Sequence, residues 1–322
     1  MIRIRFAACI AFAAAWALAA GVPVANAYPT KPITIVVPFG PGSGTDVVSR
    51  IYSKFITEEM GVAAVIDYRP GANAMIGAQL AAKAPADGHT VLMGSGTANA
   101  ANYALYADRI PYRPEQFTTV SVIFVTPPVI FAAPGVDGDT VQKVLAAAKT
   151  SARGASCGTG NAVTLVACEM LKRLTGSDLV AVSYKGNAQS LTDLAGGQIT
   201  LAISDMGAAA PFVSSGKARP VAIAAHARLA SLPGVPTVLE QGLDMDFLSW
   251  NAVFVPAGTP QAAITKLNAA ARRMLASPEW DRQRKTSGGT DVSGELGFSQ
   301  KFVADEIAKW TRYVSQTGVK VQ

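Results

Sequence analysis

VVPFGPGSGTD (Val36–Asp46) carries an apolar run straight into a cluster of glycines and hydroxyls. Ile33 to Val37 is an apolar run broken only by Thr34, as in a strand covered on both faces. Behind the loop, Val47, Val48, Ile51, Phe55 and Ile56 recur at helical spacing, and Thr45 or Asp46 is placed to cap that helix. Gly61 then stands where a left-handed C-terminal residue belongs. The unit is therefore strand, glycine turn, helix. Successive backbone N–H groups converge in such a turn, and the helix behind it adds its positive end. The stretch can hold an anion with no charged side chain, or it can be a bare βα turn.

The same plan recurs in SCGTGNAV (Ser156–Val163) and LMGSGTANA (Leu92–Ala100). Between these points the chain alternates. Strands are expected at Ala64–Ile66, Thr90–Met93, Leu179–Val182, Ile199–Ile203, Val221–Ala225 and Val253–Val255. Helices are expected near Met75–Ala84, Val163–Leu174, Ser190–Leu194, Gln261–Ala276 and Phe298–Gln316, with a capping box at Thr237–Glu240. This order predicts an α/β fold of mostly parallel sheets flanked by helices. About 295 mature residues suit two domains better than one.

Competing uses of a glycine turn fall away. Thr45 occupies the last position of a dinucleotide fingerprint, no lysine follows either turn, and Ser43 does not sit in G-x-S-x-G. His89 and His226 are the two histidines, and His89 in DGHT reads as a surface turn residue. No nucleophile–base set is legible, so an exported hydrolase is the weakest alternative and no catalytic residue is assigned.

Met1 to Ala27 has a basic start, an alanine-rich middle and an Ala25-Asn26-Ala27 end, which predicts a signal peptide cut before Tyr28. Losing Arg3 and Arg5 takes the net charge from +6 to +4, with the basic residues scattered. That pattern gives no nucleic-acid surface. Cys157 and Cys168 remain after cleavage, and an oxidising compartment permits one bridge, with two buried thiols as the alternative. Neither histidine stands near them in sequence, so no metal or other cofactor is expected.

Taken together, YPTKPITIVVPFGPGSGTDVVSR, DYRPGANAMIGA, ADGHTVLMGSGT, VSYKGNAQSLTDLAGGQI and VFVPAGTP resemble the Bug-type receptors of tripartite tricarboxylate transporters. The resemblance runs from Tyr28 to the C-terminus. It implies a periplasmic, two-lobed Venus-flytrap binding protein of type II-like architecture, with lobe 1 over 28–126 and 250–322 and lobe 2 over 127–249. It implies a small organic carboxylate as ligand, whether mono-, di- or aromatic, and a two-subunit membrane permease as partner, the receptor itself being a monomer. The matching loops are Phe39, Gly42, Ser43, Gly44 and Thr45, then Ser95, Gly96 and Thr97, and in the second lobe Thr159, Gly160, Asn161 and Val163. Asp205 matches an acidic residue facing the cleft, with a helix cap as the alternative, and Trp250 an aromatic near the hinge. Ala162-Val163 and Met206 depart from the usual pattern by removing polar groups from lobe 2. A flytrap that signals to a sensor partner is the second reading.

Overall fold

The computed structural model describes residues 28–149 and 154–319, so the expected signal sequence at 1–27 lies outside the described residues. The opening unit forms as β1 (Ile33–Val37) and α1 (Gly44–Met60). There follow β2 (Ala64–Tyr68), α2 (Met75–Ala82), β3 (Thr90–Ser95), a π-helical turn (Thr97–Ala101), α3 (Asn102–Tyr106) and β4 (Phe117–Thr126). The chain then runs through β5 (Val129–Ala132), α4 (Val141–Lys149), β6 (Ser156–Thr159), α5 (Ala162–Thr175), β7 (Val180–Ser183), α6 (Asn187–Ala195), β8 (Leu201–Ser204), α7 (Met206–Ser214) and β9 (Arg219–Ile223). It closes with β10 (Ser249–Pro256), α8 (Gln261–Leu275), α9 (Pro278–Thr286) and α10 (Leu296–Thr317).

The strands make two five-stranded sheets, ordered β2-β1-β3-β10-β4 and β7-β6-β8-β5-β9. Each sheet is mixed. In the first, β1 pairs in parallel with β2 and β3, while β10 runs antiparallel to β3 and β4. In the second, β6 is parallel to β7 and β8, while β5 is antiparallel to β8 and β9. The chain passes between the sheets twice, after Thr126 and before Ser249, and these two residues are paired in the β4–β10 ladder. The two passages therefore lie side by side.

Pleating divides β1 between two cores. Ile33, Ile35 and Val37 enter one with Val48, Tyr52 and Phe55 of α1 and Leu267 of α8, whereas Val36 enters another. The Tyr52 hydroxyl also donates to Leu267 O at 2.9 Å, fastening α1 to α8. Gly61 closes α1 at φ 68°, where its N–H donates to Thr57 O at 3.0 Å.

Several local readings are corrected. The Thr237–Glu240 capping-box bonds form, at 2.7 and 3.1 Å, but they close a turn and no helix follows. His89 is not a surface residue. It is 8% exposed, its ring accepts from Thr30 N at 3.1 Å and it meets Tyr28 edge-on. It thus pins the start of the described chain. Helix α9 carries a Ser277 cap and a proline at its start, yet it buries chiefly Trp280, so its apolar periodicity was too thin to read.

Candidate functional site

Strands β1, β2 and β3 run in parallel, so their carboxyl ends present neighbouring loops along one edge of the first sheet. Those of β6, β7 and β8 do the same in the second. In open α/β sheets this edge is where ligands sit.

In the loop after β1, Ser43 is the cap of α1. Its Oγ accepts from Asp46 N at 3.2 Å, which moves the cap from Thr45 or Asp46 to the residue before them. Asp46 turns back instead. Its carboxylate accepts from Gly42 N at 2.8 Å, from the Tyr68 hydroxyl at 2.7 Å and from the Arg50 guanidinium at 2.9 Å. Burial pushes this carboxyl up, but those three partners together outweigh burial and hold it below the usual range. The Gly42 N–H is therefore spent within the loop, and φ 83° at Gly42 demands a glycine. Gly44 differs, since it is exposed and a Cβ built on it meets nothing within 4 Å. The N–H groups of Gly44 and Thr45 open a 17-residue helix and find no partner among the described residues. Phe39 is half-buried and packs on the core.

One residue that sequence reasoning missed organises this side. Asn251 of β10, 7% exposed, donates to Thr45 Oγ1 at 3.0 Å and to Gly94 O at 3.1 Å. It ties the start of α1 to the end of β3. The available signal was an amide inside the apolar run SWNAVFVP. Beside it, Ser95 Oγ accepts from Ala98 N at 3.2 Å to start the π-helical turn, a local winding often found at functional sites. Thr97 is buried in that turn.

Trp250 stands behind this wall. It is 2% exposed and its Nε1 donates to Glu306 Oε2 at 2.9 Å, which leaves it no polar atom for a ligand. A Cβ at Gly96 would come within 3.1 Å of that indole nitrogen, so Gly96 is small because Trp250 backs it.

On the second sheet, Asn161 caps α5 by accepting from Thr164 N at 3.0 Å, and Thr164 Oγ1 accepts from Gly160 N at 2.9 Å and Asn161 N at 3.2 Å. A Cβ at Gly160 would collide with Asn187 at the start of α6. Thr159 and Val163 point into the protein at 3% exposure each. Asp205 caps α7, accepting from Ala208 N at 2.9 Å. The Tyr184 hydroxyl, pushed up to about 12 first by burial and then by Asp193, donates to Asp193 Oδ2. Cys157 of β6 and Cys168 of α5 are joined in a disulfide across the segment that carries the Thr159–Val163 loop. The π-helical turn packs on α5, and Ala98, Ala100 and Ala101 share a core with Ala162, Val163 and Val166. The loops of the two halves are thus brought near one another through an apolar contact.

A cavity of about 710 Å³ lies elsewhere, between α10 and the end of α5, lined by Arg173, His226, Asp244, Asp246 and Arg312 among others. Residues of the glycine loops do not line it. No group of three or more His, Cys, Asp or Glu among the described residues stands together to hold a metal.

The profile described as "Tripartite tricarboxylate transporter family receptor" matches residues 48–319. The chain belongs to this receptor family. It is similar to the protein BugT of Bordetella pertussis, with 32% identity over 92% of this chain and 93% of that one. It is also similar to an R. palustris protein solved with adipate (31% identity, TM-score 0.83, 91% of this chain and 99% of that one). MatC from Rhodopseudomonas palustris, solved with bound malate, gives 27% identity and a TM-score of 0.81 over 89% of this chain and 100% of that one. The α/β two-lobed fold expected of the family is the fold observed.

Proposed function

We propose that this receptor works in the periplasm, captures a small organic carboxylate between its lobes and delivers it to a two-subunit membrane permease, acting as a monomer and without catalysis. The observation that carries the reading is the loop after β1. Its one acid is sealed by Gly42, Tyr68 and Arg50, while the amides of Gly44 and Thr45 are left without a partner among the described residues at the head of a long helix. Such amides favour an anion through charge-assisted hydrogen bonds and the helix end. The carboxylate sits on these amides, with Ser43 and the Ser95–Thr97 turn beside it. The amides of Ala162 and Val163, at the start of α5, close on it from the other lobe. Lobe 1 comprises 28–126 and 250–322, and lobe 2 comprises 127–249. The sheets support that division, because the first draws strands only from Ile33–Thr126 and Ser249–Pro256 and the second only from Val129–Ile223. Solved relatives bearing adipate and malate support the ligand class. Among the described residues no helix is long and apolar enough to cross a membrane.

The deciding experiment is a thermal-shift series of the mature protein with adipate, malate and a panel of mono- and aromatic carboxylates. A ligand at one hundred times its Kd adds roughly 2.7 kcal/mol, several degrees in Tm for a chain of this size. A transition that no carboxylate moves would sink the proposal.

A further inference from the structure

The loop after β2, residues 69–74, supplies none of the candidate ligand residues, yet it holds an unusual backbone. Ala72, Asn73 and Ala74 follow one another at φ 45°, 51° and 71°. That left-handed region is costly for residues with a Cβ, which visit it singly rather than in runs. Strain of this kind persists where the surroundings impose it, and it gathers at functional sites.

Here the imposing group is Asn102, which is wholly buried at the start of α3. Its Nδ2 donates to Asn73 O at 2.9 Å, and its Oδ1 accepts from Asn73 Nδ2 at 2.9 Å. One buried amide thus grips both the backbone and the side chain of the middle strained residue.

The position of the turn matters more than its shape. On one side Gly77, in the first turn of α2, presses on Pro38, and a Cβ built there would stand 2.9 Å from Pro38 Cα. Pro38 opens the loop that leads to Gly44. On the other side, Asn102 directly follows the π-helical turn that begins at Thr97. The strained turn leads into α2, which bears on Pro38, and is bonded to Asn102 behind the π-helical turn, so it is linked to both lobe-1 loops assigned to the ligand.

We propose that Asn73 and Asn102 form a positioning clamp for the ligand site. The pair holds the turn in its strained shape, and the turn sets the spacing of the Phe39–Asp46 and Ser95–Thr97 loops before any ligand arrives. This inference rests on the receptor reading, since it assigns the loops their ligand. Neither asparagine touches the ligand; each acts through the loops. The gain is preorganisation, which raises affinity by removing an ordering cost from the binding step.

The test uses Ala72→Gly and Asn73→Gly in the mature protein. Ala72 is exposed, so glycine there relieves strain without opening a cavity. Ala72→Gly keeps both arms of the clamp and melts at least one degree higher than the parent, with parental exchange and affinity. Asn73→Gly, which loses the side-chain arm at a position where glycine adopts the left-handed φ freely, quickens amide exchange at Gly40–Thr45 and Ser95–Thr97 in ligand-free protein at least threefold and raises Kd for adipate or malate at least threefold. Parental exchange and parental affinity in Asn73→Gly would show that the turn is merely tolerated and would overturn the clamp. Unchanged or lower melting of Ala72→Gly would overturn the strain argument. If neither adipate nor malate binds the parent protein, the exchange measurement still decides: faster exchange upholds the clamp and unchanged exchange removes it, whatever becomes of the receptor reading.

Discussion

Replacing Gly44 by valine separates a ligand cradle from a bare turn, because the structure makes the change almost free of folding cost. Gly44 has no left-handed φ, is exposed, and has open space where its Cβ would be. Valine at this first helical position therefore changes stability by no more than about 0.5 kcal/mol. The same side chain stands over the amides of Gly44 and Thr45, where the carboxylate is placed. Keeping the anion from one charge-assisted N–H bond costs about 1.5–3 kcal/mol, which is roughly ten- to hundredfold in Kd. Gly42 would be the wrong position to use, since φ 83° there adds about 1–2 kcal/mol of backbone strain to any loss of binding. Calorimetric titration of folded Gly44→Val against the best carboxylate from the thermal screen reads the effect, with Tm as the folding control. Parental affinity at parental Tm would refute the argument and leave the loop as a turn only.

Other expectations concern stability and charge. Asp205→Ala loses the Ala208 N–H bond and should cost about 0.5–2 kcal/mol in denaturant melts, whereas Asp205→Asn keeps a good cap and should cost far less; equal losses would refute the capping role. Reducing the Cys157–Cys168 bridge, or replacing both cysteines by alanine, should lower stability by about 3 kcal/mol on the chain-entropy view, and an unchanged melt under reductant would contradict it. Asp46 has a depressed folded pKa, so its contribution is fully present above the unfolded value near ~3.9 and fades as pH falls through the folded one. The Tm difference between the parent and Asp46→Asn should accordingly shrink between neutral pH and strong acid; a difference that grows on acidification would reverse the sign.

The parts of the fold that could be read were those with local signals. Ile33–Val37, Gln261–Leu275 and the glycines ending α1 and α5 announced themselves through apolar runs, period and left-handed stops. The sheets' mixed character did not, because β10 joins the first sheet from far along the chain and nothing local states its direction. Within the site, the loops were legible as glycine turns, but the allocation of their amides was not. Gly42, Gly160 and Asn161 spend their N–H groups on Asp46 and Thr164, which sequence spacing alone does not distinguish from a ligand. Trp250 was expected as an aromatic near the hinge; its burial and its bond to Glu306 were not legible, since Glu306 lies 56 residues away in sequence. Asn251 was invisible for the same reason, its partners Thr45 and Gly94 being distant in the chain.

The place of β10 between β3 and β4 also governs the order in which the protein can be assembled. The second sheet is complete once Ile223 has emerged, because every strand in it lies between Val129 and that residue. The first sheet lacks the strand that joins β3 to β4 until Ser249–Pro256 arrives. A chain emerging from its N-terminus therefore finishes the inserted half first and carries β3 and β4 as two raw edges in the meantime, the kind of edge on which chains pair wrongly. Truncation just short of Ser249 would leave a well-formed second half attached to an unfinished first one.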